Sequence, residues 1–327
     1  RFVFRLGRWE APYELLVKSY RDCMAYYAGL RDRGELQDMT MSEFADFYRS
    51  CHTYKQPECA LWKDILYGSQ KQLFWYADPY MRTCVDMNQG GAIVDLRPYA
   101  AKVRRPVGIG TGNVYDASYP FLIQSMYRAG YFTHYAGKGT IKSCKFTYKG
   151  EEADLCLCRT KAGFSEEEGC RILTLDPVEI ELSGIKVKIQ SVFTFKEGSS
   201  EIKITRRVLE MSDPLCEIGF DEYMTACYGT TEYPEDMNGI KLITRGEKTE
   251  EMVYAYRDRE VCSANGTSAE AVITPVNTKA SVLPGTRGCS SYAHEGYAFS
   301  PMFTLGLRGT LKNGGEVTSW LRLEKAD

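Results

Sequence analysis

Residues 85–99, VDMNQGGAIVDLRPY, decide the fold class. Alternating apolar and polar residues run into Gly90-Gly91 and out again, and a period of two on both sides of a glycine turn is the mark of a β-hairpin. With Gly90-Gly91 as a two-residue loop, Asp86 stands opposite Asp95, and like charges facing each other across a hairpin destabilise it. On that register Val85, Met87, Val94 and Leu96 face the core, while Arg82, Asp86, Asn88, Asp95, Arg97 and Tyr99 share the other face. Arg97, two residues from Asp95, can compensate it. The polar face then has two readings. In one it is a solvated ion-pair cluster in which Asp95 is exposed and contributes little to folding. In the other, Asp86 and Asp95 share a proton and act on a sugar, since carboxylates about 5 Å apart are the arrangement of retaining glycosidases.

The same period continues outward from the hairpin. Strands are expected at 72–77, 80–87, 92–97, 140–149, 153–159, 170–175, 177–183, 186–195, 201–210, 215–228, 240–245, 251–257, 297–308 and 315–323, separated by turn signals such as KEGSS, LSGI and KNGGE. So many antiparallel runs predict a mainly β protein, a large antiparallel β-sandwich. Residues 98–139 break the pattern as a long Gly- and Tyr-rich insertion, and such loops commonly carry function.

Before residue 60 the period is helical. Leu15, Leu16, Tyr20, Tyr26, Tyr27 and Leu30 recur at helix spacing and stop before Gly34. Thr40 and Glu43 occupy capping-box positions ahead of an apolar stripe of Met41, Phe44, Ala45 and Tyr48. CHTYKQPEC, residues 51–59, reads as a linker. The expected division is a helical segment, 1–60, followed by a β domain, 61–327, with the insertion at 98–139.

Composition narrows the function. The 327 residues carry 41 Lys and Arg against 43 Asp and Glu, a net charge of -2 that offers no long-range attraction to nucleic acid. No apolar run nears the roughly 18 residues of a membrane span, so no membrane partner is expected. The opening RFVFRLGRWE has neither the apolar centre nor the cleavage site of a signal peptide and reads as the interior of a longer chain. The twelve cysteines sit in apolar settings, and Cys156 and Cys158, two apart on an expected strand, share a face as small hydrophobes. Reduced thiols and a cytoplasmic location follow. With His52, His134 and His294 as the only histidines, neither a metal site nor a cofactor is expected.

Two further clusters join the hairpin as candidate sites. Residues 219–239, GFDEYMTACYGTTEYPEDMNG, set Asp221, Glu222, Glu232, Glu235 and Asp236 among Tyr223, Tyr228 and Tyr233. Tyrosines offer flat faces to pyranose rings and carboxylates accept hydroxyl hydrogen bonds. The insertion adds Tyr115, Tyr119, Tyr127, Tyr131, His134 and Tyr135, and His134 in its glycine-flanked loop is the histidine placed to titrate usefully. The catalytic candidates are therefore Asp86, Asp95, His134 and Glu232. The substrate-binding candidates are Arg97, Tyr99, Tyr115, Tyr131, Tyr233 and Glu235.

YYAGLRDRGELQDMTMSEFADFYR, in the first fifty residues, resembles the closing unit of a polysaccharide-deacetylase-like or related glycoside-hydrolase (β/α) barrel. From about residue 70 to 325 the length, strand density and order resemble the super-sandwich of galactose-mutarotase-like proteins and of the C-terminal part of α-mannosidases. The resemblance implies a carbohydrate-associated accessory or substrate-shaping domain of a glycoside-hydrolase or deacetylase-like enzyme, with a mono- or oligosaccharide as partner. Two alternatives stay open: a sugar epimerase or mutarotase-like enzyme with its site in the sandwich, using His134 and an acidic residue, or a structural or homo-oligomerisation domain.

Overall fold

Side chains that alternate inward and outward build two sheets, and their inward sets share one interior. The structure, a computed structural model, describes residues 13–51, 57–63, 71–99, 122–123, 140–227, 239–255, 257–274, 277–296 and 302–326. The chain forms two compact units, Arg1–Tyr54 and Lys55–Asp327.

The first unit carries α1 (Tyr13–Asp32) and α2 (Met41–Cys51). Helix α1 ends where Gly34, at φ 74°, takes the left-handed conformation that a side chain would resist. Helix α2 starts on the expected capping box: the Thr40 amide donates to Glu43 Oε2 at 2.6 Å, and the Glu43 amide donates to Thr40 Oγ1 at 3.2 Å. None of the residues of α2 is buried. No helix among the described residues is long and apolar enough to cross a membrane.

The second unit holds the strands. In chain order they are β1 (Glu58–Lys63), β2 (Gln72–Ala77), β3 (Met81–Asp86), β4 (Ala92–Pro98), β5 (Ile141–Tyr148), β6 (Glu151–Asp154), β7 (Ala162–Glu167), β8 (Cys170–Leu175), β9 (Val178–Leu182) and β10 (Ile185–Lys196). They continue as β11 (Glu201–Met211), β12 (Glu217–Cys227), β13 (Ile240–Arg245), β14 (Thr249–Val253), β15 (Glu260–Ser263), β16 (Ser268–Ile273), β17 (Thr278–Pro284), β18 (Ser290–Glu295), β19 (Met302–Lys312) and β20 (Glu316–Lys325). One sheet runs β1-β2-β3-β4-β5-β12-β19-β18-β15 with β6 on β5; the other runs β14-β13-β16-β17-β20-β11-β10-β8-β7 with β9 on β10. Every pairing is antiparallel, as expected of the mainly β fold.

Strand β10 shows how the sequence makes the sandwich. In IKVKIQSVFTFK, Ile185, Val187, Ile189, Ser191, Phe193 and Phe195 are buried and the residues that alternate with them are not. Phe195 meets Phe74 at 5.4 Å and Tyr76 at 4.8 Å between ring centroids, joining β10 of one sheet to β2 of the other. Beyond Pro98 and Tyr99, Leu122 and Ile123 are the described residues of the insertion. Both are fully buried, and Leu96 donates its amide to the Ile123 carbonyl at 2.9 Å.

A charged triad interrupts this interior. Glu222 of β12 accepts Arg206 Nε of β11 at 3.1 Å and pairs with Lys142 Nζ of β5, all three side chains at most 2% exposed. Burial pushes the Glu222 carboxyl up, but the Arg206 and Lys142 cations outweigh it and leave the group below the usual carboxylate range. Burial holds Lys142 below its ordinary value. Glu222, expected in a sugar cluster, therefore ties the two sheets together from inside.

Several boundaries differ from expectation. The expected strand 153–159 is β6 followed by a 3-10 turn, Leu155–Leu157, because the Asp154 side chain accepts the Cys156 amide and caps it. Cys156 and Cys158 consequently do not share a face: Cys156 packs with Cys84 and Tyr223, Cys158 with the cluster around Phe146 and Val187. Eleven of the cysteines are free thiols. The expected 297–308 is β19, shifted to Met302–Lys312, and 251–257 is β14 at Thr249–Val253. Strand β1 begins in the last two residues of the expected linker and runs four residues beyond it. Strands β7, β15, β16, β17 and β18, which the sequence reading passed over, are short or rich in Gly, Ser, Ala and Glu, so their apolar alternation is weak.

Candidate functional site

The hairpin does not have the register that the glycine pair suggested. Asp86 lies opposite Ala92, and Met87–Gln89 form a 3-10 turn before Gly90 and Gly91, at φ 59° and 76°. A bulge follows: Val85 pairs with Ile93, yet Cys84 pairs with Asp95, so Val94 is the extra residue. The bulge explains how Ile93 and Leu96, three apart, both enter the main core. Val94 instead joins Cys84, Ala92, Ile141 and Tyr223 on the outward face. The expected core set of Val85, Met87, Val94 and Leu96 is therefore corrected at one position, Ile93 replacing Val94.

Asp86 and Asp95 are thus not a facing pair. Asp86 caps the turn, accepting the Asn88 amide at 2.9 Å and Gln89 Nε2 at 2.7 Å, with Lys71 Nζ at 3.6 Å. Asp95 accepts Arg82 Nε at 3.0 Å and Nη2 at 2.9 Å, a two-bond clamp, and Arg97 Nε lies 3.5 Å away. The compensation expected from Arg97 is present, and Arg82 contributes more. Neither is the exposed carboxylate expected: both residues are buried, and the Asp95 side chain keeps 11% of its surface open. Cys84 lies between them; burial, then Asp95 and Asp86, push its thiol far up.

Around this acid the outward face of β1–β4 carries aromatic side chains. Strand β2 alternates Phe74 and Tyr76 inward with Leu73 and Trp75 outward. The Arg82 guanidinium lies 5.3 Å from the Trp75 ring centroid while it holds Asp95. Tyr99 donates its amide to the Tyr80 carbonyl at 2.8 Å, which sets both exposed tyrosines at the end of the hairpin. A carboxylate fixed between guanidiniums, flanked by exposed rings, can exchange hydrogen bonds with vicinal hydroxyls and stack against an apolar ring face.

The second cluster is divided by strand alternation. Asp221 and Tyr223 point outward from β12 and Glu222 points in. Asp221 accepts the Tyr292 hydroxyl at 2.8 Å, and Arg308 lies 3.6 Å over the Tyr292 ring while it forks onto Glu260 at 2.8 and 3.0 Å. Burial raises the Asp221 carboxyl, against the pull of Tyr292 and Arg308. Tyr223 donates to Asp154 Oδ2 at 2.6 Å, and His294 Nε2 lies 2.9 Å from Asp258 Oδ1. These groups are paired among themselves. His134, Glu232, Tyr115, Tyr131, Tyr233 and Glu235 lie outside the described residues. Among the described residues no three His, Cys, Asp or Glu side chains are grouped to hold a metal ion.

Sequence reasoning singled out Asp95, Arg97 and Tyr99 but passed over Trp62 and Trp75. The signal was there in CALWK and QLFWYA, where each tryptophan sits at an outward position of a short strand.

No family model and no curated protein matches the sequence. Among solved structures the chain is similar to the 4-alpha-glucanotransferase of Thermococcus litoralis, at 10% identity and a TM-score of 0.47 over 83% of this chain, and it spans 40% of that enzyme's length. It is similar to a galactose mutarotase-like protein of Clostridium acetobutylicum, at 8% identity and a TM-score of 0.46 over 81% of this chain and 99% of the other. A galactose mutarotase related enzyme of Lactobacillus acidophilus gives 10% identity and a TM-score of 0.49 over 77% of this chain and 97% of that one. At these levels the overlays assign no residue and no activity, so the site rests on its own chemistry.

Proposed function

We propose that the sandwich is a carbohydrate-recognising module, an accessory or substrate-shaping part of a glycoside-hydrolase or deacetylase-like enzyme, and that sugar binds on the outward face of β2–β4. The observation that carries the reading is Asp95 clamped by Arg82, with Arg97 at 3.5 Å, beside the exposed Trp75 and Tyr99. Planar charged groups hold pairs of hydroxyls, and aromatic faces take the C–H side of a pyranose. A second reading, a sugar epimerase, is favoured by the His294–Asp258 pair, which sets an imidazole on β18 of the same sheet 2.9 Å from a carboxylate of the loop before β15.

Calorimetric titration with a panel of neutral saccharides tests the first reading. Tyr99→Ala should weaken binding while leaving the thermal midpoint nearly unchanged, because the ring is exposed. Asp95→Asn should weaken binding and also destabilise by about 1–3 kcal/mol, because it breaks charge-assisted hydrogen bonds that are mostly shielded from water. Affinity identical in the wild type and both variants contradicts the assignment of this face. Mutarotation of free aldoses that is abolished by His294→Ala would favour the second reading.

A further inference from the structure

We propose that this site takes the end of a glycan chain rather than a free monosaccharide, with Trp62 and Trp75 as the platform for the units behind the terminal one. The inference rests on the carbohydrate reading above and goes beyond it in naming the substrate class. Strand register carries the argument. Ala60 pairs with Trp75 and Trp62 pairs with Leu73, so the two indoles stand on neighbouring strands, on one face, two positions apart along the ladder. Diagonal neighbours of this kind lie within reach of one extended ligand.

Exposure is graded along the row. Trp62 on the edge strand β1 is 50% exposed and Trp75 on β2 is 36% exposed. The side chains of Arg82, Arg97 and Asp95 are 32%, 21% and 11% exposed. The surface therefore runs from an open aromatic rim to a deep acid, a shape that suits one terminal residue at Asp95 with the following residues laid over the indoles. Edge strands are ordinarily protected by charge or proline, and a large apolar ring left half in water on β1, as Trp62 is, is a liability unless a ligand covers it. The other charged row on this sheet, Asp221–Tyr292–Arg308–Glu260, is paired internally and offers no comparable platform.

The test is calorimetric titration of the full chain with glucose, galactose, mannose and xylose and with their homo-oligosaccharides up to the hexaose. Affinity should rise at least about tenfold from the monosaccharide to the hexaose of the preferred sugar. Trp62→Ala should remove most of that gain, costing the hexaose far more affinity than the monosaccharide. Trp62→Phe should restore it. Trp75→Ala should weaken the longer ligands more than the monosaccharide. Equal affinity for monomer and hexamer, or a length gain untouched by Trp62→Ala, overturns the chain inference and leaves the carbohydrate reading standing. Absence of binding by the wild type to any of these saccharides overturns both.

Discussion

At the scale of single residues the most consequential group is Glu222, the anion between two buried cations. Removing one partner from such a cluster leaves uncompensated charge in the core, which costs about 3–5 kcal/mol, whereas replacing the whole cluster by apolar side chains of similar size is often neutral. Glu222→Gln should therefore lower the urea-unfolding free energy by about that amount, and Lys142→Met combined with Arg206→Met and Glu222→Leu should recover most of it. The pH dependence has a definite sign. Because the folded-state value of Glu222 is depressed, its contribution is present above the ordinary carboxylate range and is lost as pH falls through the folded value. The difference between wild type and Glu222→Gln should shrink on acidification. A difference that grows toward acid would show that Glu222 is not the anion of the cluster.

At the scale of elements, the loop between β3 and β4 decides where Asp95 points. Gly90 has φ 59°, and a Cβ there would stand 1.9 Å from the Leu155 carbonyl oxygen; at Gly91 it would stand 2.2 Å from Leu175 Cδ2. The left-handed conformation alone costs a non-glycine residue roughly 1–3 kcal/mol, and the carbonyl belongs to the backbone and cannot swing away. Gly90→Ala should lower the thermal midpoint sharply, while alanine at Gly150, where nothing lies within 4 Å, should show only the conformational cost. Similar midpoints for the two variants would contradict this account of the loop. The same hairpin shows what the sequence could reveal. Strict period two disclosed strands β2–β5 and β8–β13 to within a few residues, and the Thr40–Glu43 pair disclosed the start of α2. Register was harder to read. One extra residue at Val94 flips the parity of everything after it, and a 3-10 turn capped by Asp86 looks like strand until its hydrogen bonds are known. Of the proposed site, Asp95, Arg97 and Tyr99 could be picked out together because they lie close in sequence. Trp62 and Trp75 join it only through the pairing of β1 with β2, which no local pattern announces.

At the scale of the whole molecule, the proposed site stands on a different face from most of the core. The inward faces hold the two larger apolar clusters and the charged triad, and the outward face of the first sheet holds a small apolar cluster and the aromatic and ionic row. Substitution at Trp62 or Tyr99 should consequently change binding with little effect on unfolding, and substitution at Phe195 should do the reverse, with Phe195→Ala costing about 3–5 kcal/mol. The central claim is the place of the ligand. Hydrogen–deuterium exchange of the full chain, with and without the tightest-binding hexasaccharide of the titration series, locates it directly. Added protection within Glu58–Pro98, and unchanged exchange in β13, β16, β17 and β20 of the second sheet, is the predicted result. Unchanged exchange across Glu58–Pro98 with protection elsewhere would contradict it.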